Sequence, residues 1–117
     1  MEDRQNVIAK NGGMIDPFNE LSPAEVERLS ILVEECAEVQ QCATKILRHG
    51  FGSINPVAGD GITNRRNLEK EIGHLECAIK IIVDEYGDVR REGVNRDSQI
   101  KQSNIYKWLH HNRLKGK

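Results

Sequence analysis

Aromatic residues are scarce in this chain: two Phe, two Tyr and one Trp make up 4% of 117 residues. With Glu, Lys, Ile, Leu and Ala abundant, that scarcity argues against a β-sandwich and for a helical protein. Charge of one sign is also lacking. The net charge of -1 gives no global argument for binding nucleic acid or an anionic membrane, so neither partner is expected. No apolar run approaches the ~18 residues of a membrane span, and the first residues lack a signal-peptide core. There are three cysteines, at positions 36, 42 and 77, with no CxxC pair among them. An odd count without a CxxC pair argues against a disulfide framework or a zinc knuckle. Each lies in a helical pattern, so all three read as small buried hydrophobes of a cytoplasmic protein. The glycine-rich stretch lacks GK[ST], which rejects a P-loop. No Ser–His–Asp or Cys–His arrangement emerges from the spacing.

What is present is helical periodicity. Residues 1–21 sustain no period and carry Gly12, Gly13 and Pro17, so they read as an irregular arm or short helix. At "SPAE", Ser22 can cap, Pro23 suits the first helical position and Glu25 closes a capping box. The helix that follows should run to His49 and stop at Gly50. Residues 50–63 hold four glycines and a proline and read as a long loop. Thr63 or Asn64 caps a second helix ending near Tyr86 and Gly87. A charged connection over residues 88–95 precedes a third helix over 97–112, with Ile100, Ile105, Trp108 and Leu109 facing inward. Residues 22–117 thus form one all-α domain. Its first helix is apolar well beyond a ~100° stripe, through Val26, Leu29, Leu32, Val33, Cys36, Val39, Ala43, Ile46 and Leu47. So wide a face implies a bundle completed by another subunit.

The chemistry-bearing residues are acidic. On the first helix Ile31, Glu35, Glu38, Cys42, Lys45 and His49 alternate by four and three and form one stripe. Glu34 drifts to the solvated side, with Glu27 and Gln41. Taken alone, these glutamates read equally well as the surface of a helix-rich sequence. The second helix changes that balance. In "NLEKEIGHLECAIKII", residues 67–82, an apolar face of Leu68, Leu75, Ala78, Ile79 and Ile82 has Glu71 at its centre. A carboxylate there must be neutral, paired or bound to a cation, because burying it bare costs many kcal/mol. Three acids without a buried cation repel, so a metal ion is the economical solution. His74, three residues on, stands beside Glu71 as a ligand, as a group that orients one, or as a histidine satisfied by an ordinary hydrogen bond. Hard oxygen ligands favour Mg²⁺ or Mn²⁺, and an imidazole tips the balance toward Mn²⁺.

"ECAE" at residues 35–38 and "EIGH" at 71–74, flanked by "EECAEV" and "LEKEIG", resemble the paired ExxE and ExxD halves of the MazG-type all-α nucleoside triphosphate pyrophosphohydrolases. His74 stands where that family usually has Asp. The 32 residues between the halves include the 50–63 loop. "KILRHGF", a following "NP" and "TNRRNLEKE" look most like small phage-encoded members, and the resemblance spans roughly residues 21–85. It implies a helical bundle assembled as a homo-oligomer, dimer or tetramer, working in the cytoplasm (of a host cell, if phage-encoded). It implies metal-dependent hydrolysis of a nucleoside or deoxynucleoside triphosphate to the monophosphate and diphosphate, in control of the nucleotide pool. Glu35, Glu38 and Glu71 would be catalytic, and with His74 would hold Mg²⁺ or Mn²⁺. Lys45, Arg48, His49, Asn64, Arg65 and Asn67 would contact substrate phosphate or base. The alternative is a non-catalytic helical nucleotide-binding or interaction protein that has lost the fourth acid at position 74.

Overall fold

The structure is a computed structural model that describes residues 7–8, 14–15 and 18–112. Among the described residues the regular elements are helices apart from one two-residue antiparallel pair, β1 (Val7–Ile8) with β2 (Met14–Ile15), in which Val7 pairs with Ile15 and Ile8 with Met14. No helix is found in the described part of the arm, where this short pair stands. Gly12, Gly13 and Pro17 lie outside the described residues.

Helix α1 (Pro23–His49) begins where the capping box sets it. The Ser22 hydroxyl accepts from the Glu25 amide at 3.1 Å, while the Glu25 carboxylate accepts from the Ser22 amide at 2.7 Å. It ends at Gly50, whose φ of 88° suits only glycine without strain. Helix α2 (Asn64–Lys80) is capped by the Thr63 hydroxyl, which accepts from the Arg66 amide at 3.2 Å. It continues without a break into a π-helical turn (Ile81–Glu85), closed by a bond from the Tyr86 amide to the Ile81 carbonyl. The wider turn brings the adjacent residues Ile82 and Val83 both into the core.

α1 and α2 form an antiparallel hairpin: Gly50 meets Asn64 at its closed end, Glu35 meets His74 midway, and Arg28 meets Asp88 at the open end. The 50–63 loop is pinned rather than slack. The Asn64 amide donates to the Ser53 carbonyl and the Arg65 amide to the Phe51 carbonyl, with a bridge between Ile54 and Thr63. At the open end the Arg28 guanidinium donates twice to Asp88, at 2.6 and 2.7 Å, and lies 4.2 Å over the Tyr86 ring.

Two expectations are corrected. The third helix, α3, spans Arg91–Ile105, not 97–112. It starts early because Arg91 is held by Asp84 and by Asn95, and helix-tolerant charged residues carry it across Gly93. It stops early because Ser103 and Asn104 turn their side chains back onto the Gln99 and Ile100 carbonyls, after which residues 106–109 wind as tight turns. The inward face assigned to it holds only in part: α3 buries no residue and Ile100 and Trp108 are exposed, while Ile105 and Leu109 are half-buried. The cysteines differ too. Cys36 and Cys77 are exposed and Cys42 is half-buried, all as free thiols.

Among the described residues only Ala78, Ile82 and Val83 are buried hydrophobes, and α1 buries no residue at all. Val33 is 69% exposed and Leu47 87%. The Cα radius of gyration is 19.6 Å, against about 13 Å for a compact chain of this length. No described helix is long and apolar enough to cross a membrane.

Candidate metal centre

The apolar face of α2 delivers Glu71 where its periodicity places it. Glu71 is 8% exposed, while Glu69, Lys70, Glu76 and Lys80 lie on the open side. Across the seam, α1 presents Glu35. His74, one turn beyond Glu71, completes a group of three whose ligand atoms all lie within 4.8 Å of one another. The His74 Nδ1 is 3.6 Å from Glu35 Oε2 and 3.6 Å from Glu71 Oε2. Lys70 Nζ lies 3.7 Å from Glu71 Oε1. These separations exceed the ~2.7–2.9 Å of a charge-assisted hydrogen bond. The acids are gathered without a direct hydrogen bond to His74 or Lys70.

Glu35 Oε2 makes the point most sharply, since it is shut off from solvent and accepts no hydrogen bond. A carboxylate oxygen in that state has lost its water without replacement, at a cost of a few kcal/mol. Two carboxylates and one imidazole nitrogen, converging within 4.8 Å, suit a divalent cation of the Mg²⁺ or Mn²⁺ kind. These three residues could hold such an ion.

Glu38 is not in the close group. It lies one turn along α1, half-buried on the same stripe. Cys42, a further turn on, reports the field of this seam. Its thiol is held above the ordinary value first by burial and next by the charge of Glu71, with a smaller push from Glu38 and an opposing pull from Lys45. Glu34 is exposed, on the solvated side.

The residues assigned to substrate divide. Lys45, Arg48, His49 and Asn64 line one cleft of about 270 Å³ between the end of α1 and the 50–63 loop. Ser53 and Asn55 line it as well, a contribution that only the folded loop reveals, although "INP" signals a turn there. Asn64 is buried and committed, donating from Nδ2 to the Gly50 carbonyl at 3.1 Å. Arg65 instead lies 4.8 Å over the Phe51 ring, and Asn67 is half-buried on α2; neither lines this cleft. Compared with family profiles, with curated proteins and with solved structures, the chain matches none.

Proposed function

We propose that the protein is a metal-dependent nucleoside triphosphate pyrophosphohydrolase, converting a nucleoside or deoxynucleoside triphosphate and water into the monophosphate and diphosphate. The observation that carries the reading is the unsatisfied Glu35 Oε2 facing Glu71 and His74 across the α1–α2 seam. Glu35, Glu71 and His74 would hold Mg²⁺ or Mn²⁺. When bound, that ion neutralises phosphate charge and makes a water molecule acidic enough to attack. The water oxygen bonds to the α-phosphorus as the bond from that phosphorus to the α,β-bridging oxygen breaks, and diphosphate leaves. Glu38, outside the close group, keeps a carboxylate on the seam that takes the proton from the attacking water. Lys45 lies two turns beyond Glu38, ~10 Å along the axis. With Arg48 and His49 it forms a cationic cleft suited to the outer phosphates.

The fit extends to assembly: the bare apolar face of α1 supports a homo-oligomer, dimer or tetramer, that covers it. One observation favours a second reading. His74 is half exposed and replaces an acid of the resembled motif, as in a protein that binds nucleotide without cleaving it. A panel of nucleoside triphosphates with Mg²⁺ or Mn²⁺, assayed separately for diphosphate and orthophosphate, separates the two. Diphosphate with monophosphate supports the enzyme; orthophosphate alone, or no turnover with intact nucleotide binding, contradicts it.

A further inference from the structure

Helix α1 carries two stripes whose residues alternate by four and three, the spacing that keeps side chains on one side of a helix. Leu32, Glu35, Val39, Cys42 and Ile46 form a half-buried stripe, the one that α2 packs against. The other stripe is Val26, Ser30, Val33, Ala37, Gln40, Thr44 and Leu47, and all seven residues are exposed. Two clefts, of about 510 and 330 Å³, follow one another along it, the first beside Val26 and Val33, the second beside Ala37 and Thr44. The Thr44 hydroxyl already donates to the Gln40 carbonyl at 2.8 Å, so covering it costs no hydrogen bond. Beside this stripe, seven residues apart, stand Glu27, Glu34, Gln41 and Arg48, all exposed. That edge is acidic toward the start of the helix and basic at its end.

We infer that α1 pairs with α1 of a second copy, antiparallel along the exposed stripe, with a two-fold axis passing near Ala37. The edge charges select both the occupant and its direction. Reversed against itself, the edge sets Arg48 opposite Glu27 of the partner subunit and Gln41 opposite Glu34 of the partner subunit. Symmetry makes each contact twice. A parallel pair would set each of these charges against its own copy. The helix dipoles favour the antiparallel direction as well. Within the stripe Val26 comes opposite Leu47 and Val33 opposite Gln40, while the short Ser30, Ala37 and Thr44 let the helices approach closely. Arg48 also lines the cleft assigned to substrate, so the pairing positions one of that cleft's cations. The inference deepens the assembly reading of this face and is independent of the chemistry at Glu35 and Glu71.

Single cysteines map the pairing in a chain carrying Cys36→Ser, Cys42→Ser and Cys77→Ser, because a disulfide forms only between closely placed residues. Under mild oxidation Ala37→Cys should cross-link to its own copy. Val26→Cys and Leu47→Cys should each stay uncross-linked alone and join when the two proteins are mixed. With the native cysteines kept, Glu27→Arg should weaken the dimer about tenfold in sedimentation. Adding Arg48→Glu to that variant should restore it. Self-cross-linking of Val26→Cys or Leu47→Cys would mean a parallel pair. A sedimenting dimer whose mixed cysteines never join, or whose double charge variant is no tighter than the single one, would place the interface elsewhere. Each of these results overturns the pairing and leaves the assembly standing; a stable monomer overturns both.

Discussion

Glu71 is nearly buried at the centre of the seam. Among the described residues, the His74 imidazole lies 3.6 Å from it and the Lys70 ammonium 3.7 Å, neither within hydrogen-bond distance. Glu71→Gln keeps the shape and removes a desolvated charge, so without metal the melting temperature should hold or rise. With Mn²⁺ present the wild type should gain stability by mass action, and the variant should lose that gain. Equal Mn²⁺-induced shifts in the two proteins would refute Glu71 as a ligand. His74→Asp should move preference from Mn²⁺ toward Mg²⁺, read from binding isotherms with each ion alone; identical isotherms would remove His74 from the centre. The Glu71 position was legible because a carboxylate interrupts an otherwise apolar period. That Glu35 rather than Glu38 closes on it was not, because both fall on one stripe and only the register of α1 against α2 separates them.

Register is set at the element scale, by contacts far apart in sequence. The Arg28–Asp88 pair ties the open end of the hairpin across sixty positions, and neither residue belongs to a pattern that announces it. Its hydrogen bonds to Arg28, against an opposing effect of burial, hold the Asp88 carboxyl below its ordinary 3.8. A carboxyl lowered in the folded state stabilises above the ordinary value and loses that contribution as pH falls through the lowered one. Asp88→Asn should therefore reduce thermal stability at pH 7, by an amount that shrinks as pH falls below the ordinary 3.8, measured by melting across that range. A loss that stays constant as the pH is lowered would deny the charged pair its role. Both ends of α1 and the start of α2 were readable because caps are local: Ser22 with Glu25, Gly50, and Thr63. The bounds of α3 were not, since no capping side chain marks its start and its apolar residues are at most half-buried.

The whole molecule shows the same shortfall of burial. Three buried hydrophobes cannot hold a hairpin whose longer helix leaves Val33 and Leu47 mostly bare, given the entropy that folding must offset. An apolar groove on α1 beside Val26, Leu29 and Val33 continues that bare face. Sedimentation at micromolar concentration should give a dimer or tetramer, and Val33→Glu should shift it toward smaller, less stable species. A compact, stable monomer would contradict the assembly. The breadth of that face was plain from sequence; in the proposed assembly a second chain covers it. The central claim joins the three scales, because a cation held by Glu35, Glu71 and His74 in an assembled bundle is claimed to cleave nucleoside triphosphates. The most direct measurement is diphosphate release by wild type and Glu71→Gln, at matched oligomeric state, with Mg²⁺ or Mn²⁺ and with chelator. Release that needs the metal and falls about 100-fold or more in the variant is the expected result; equal release by the two proteins, or release that survives chelation, would contradict it.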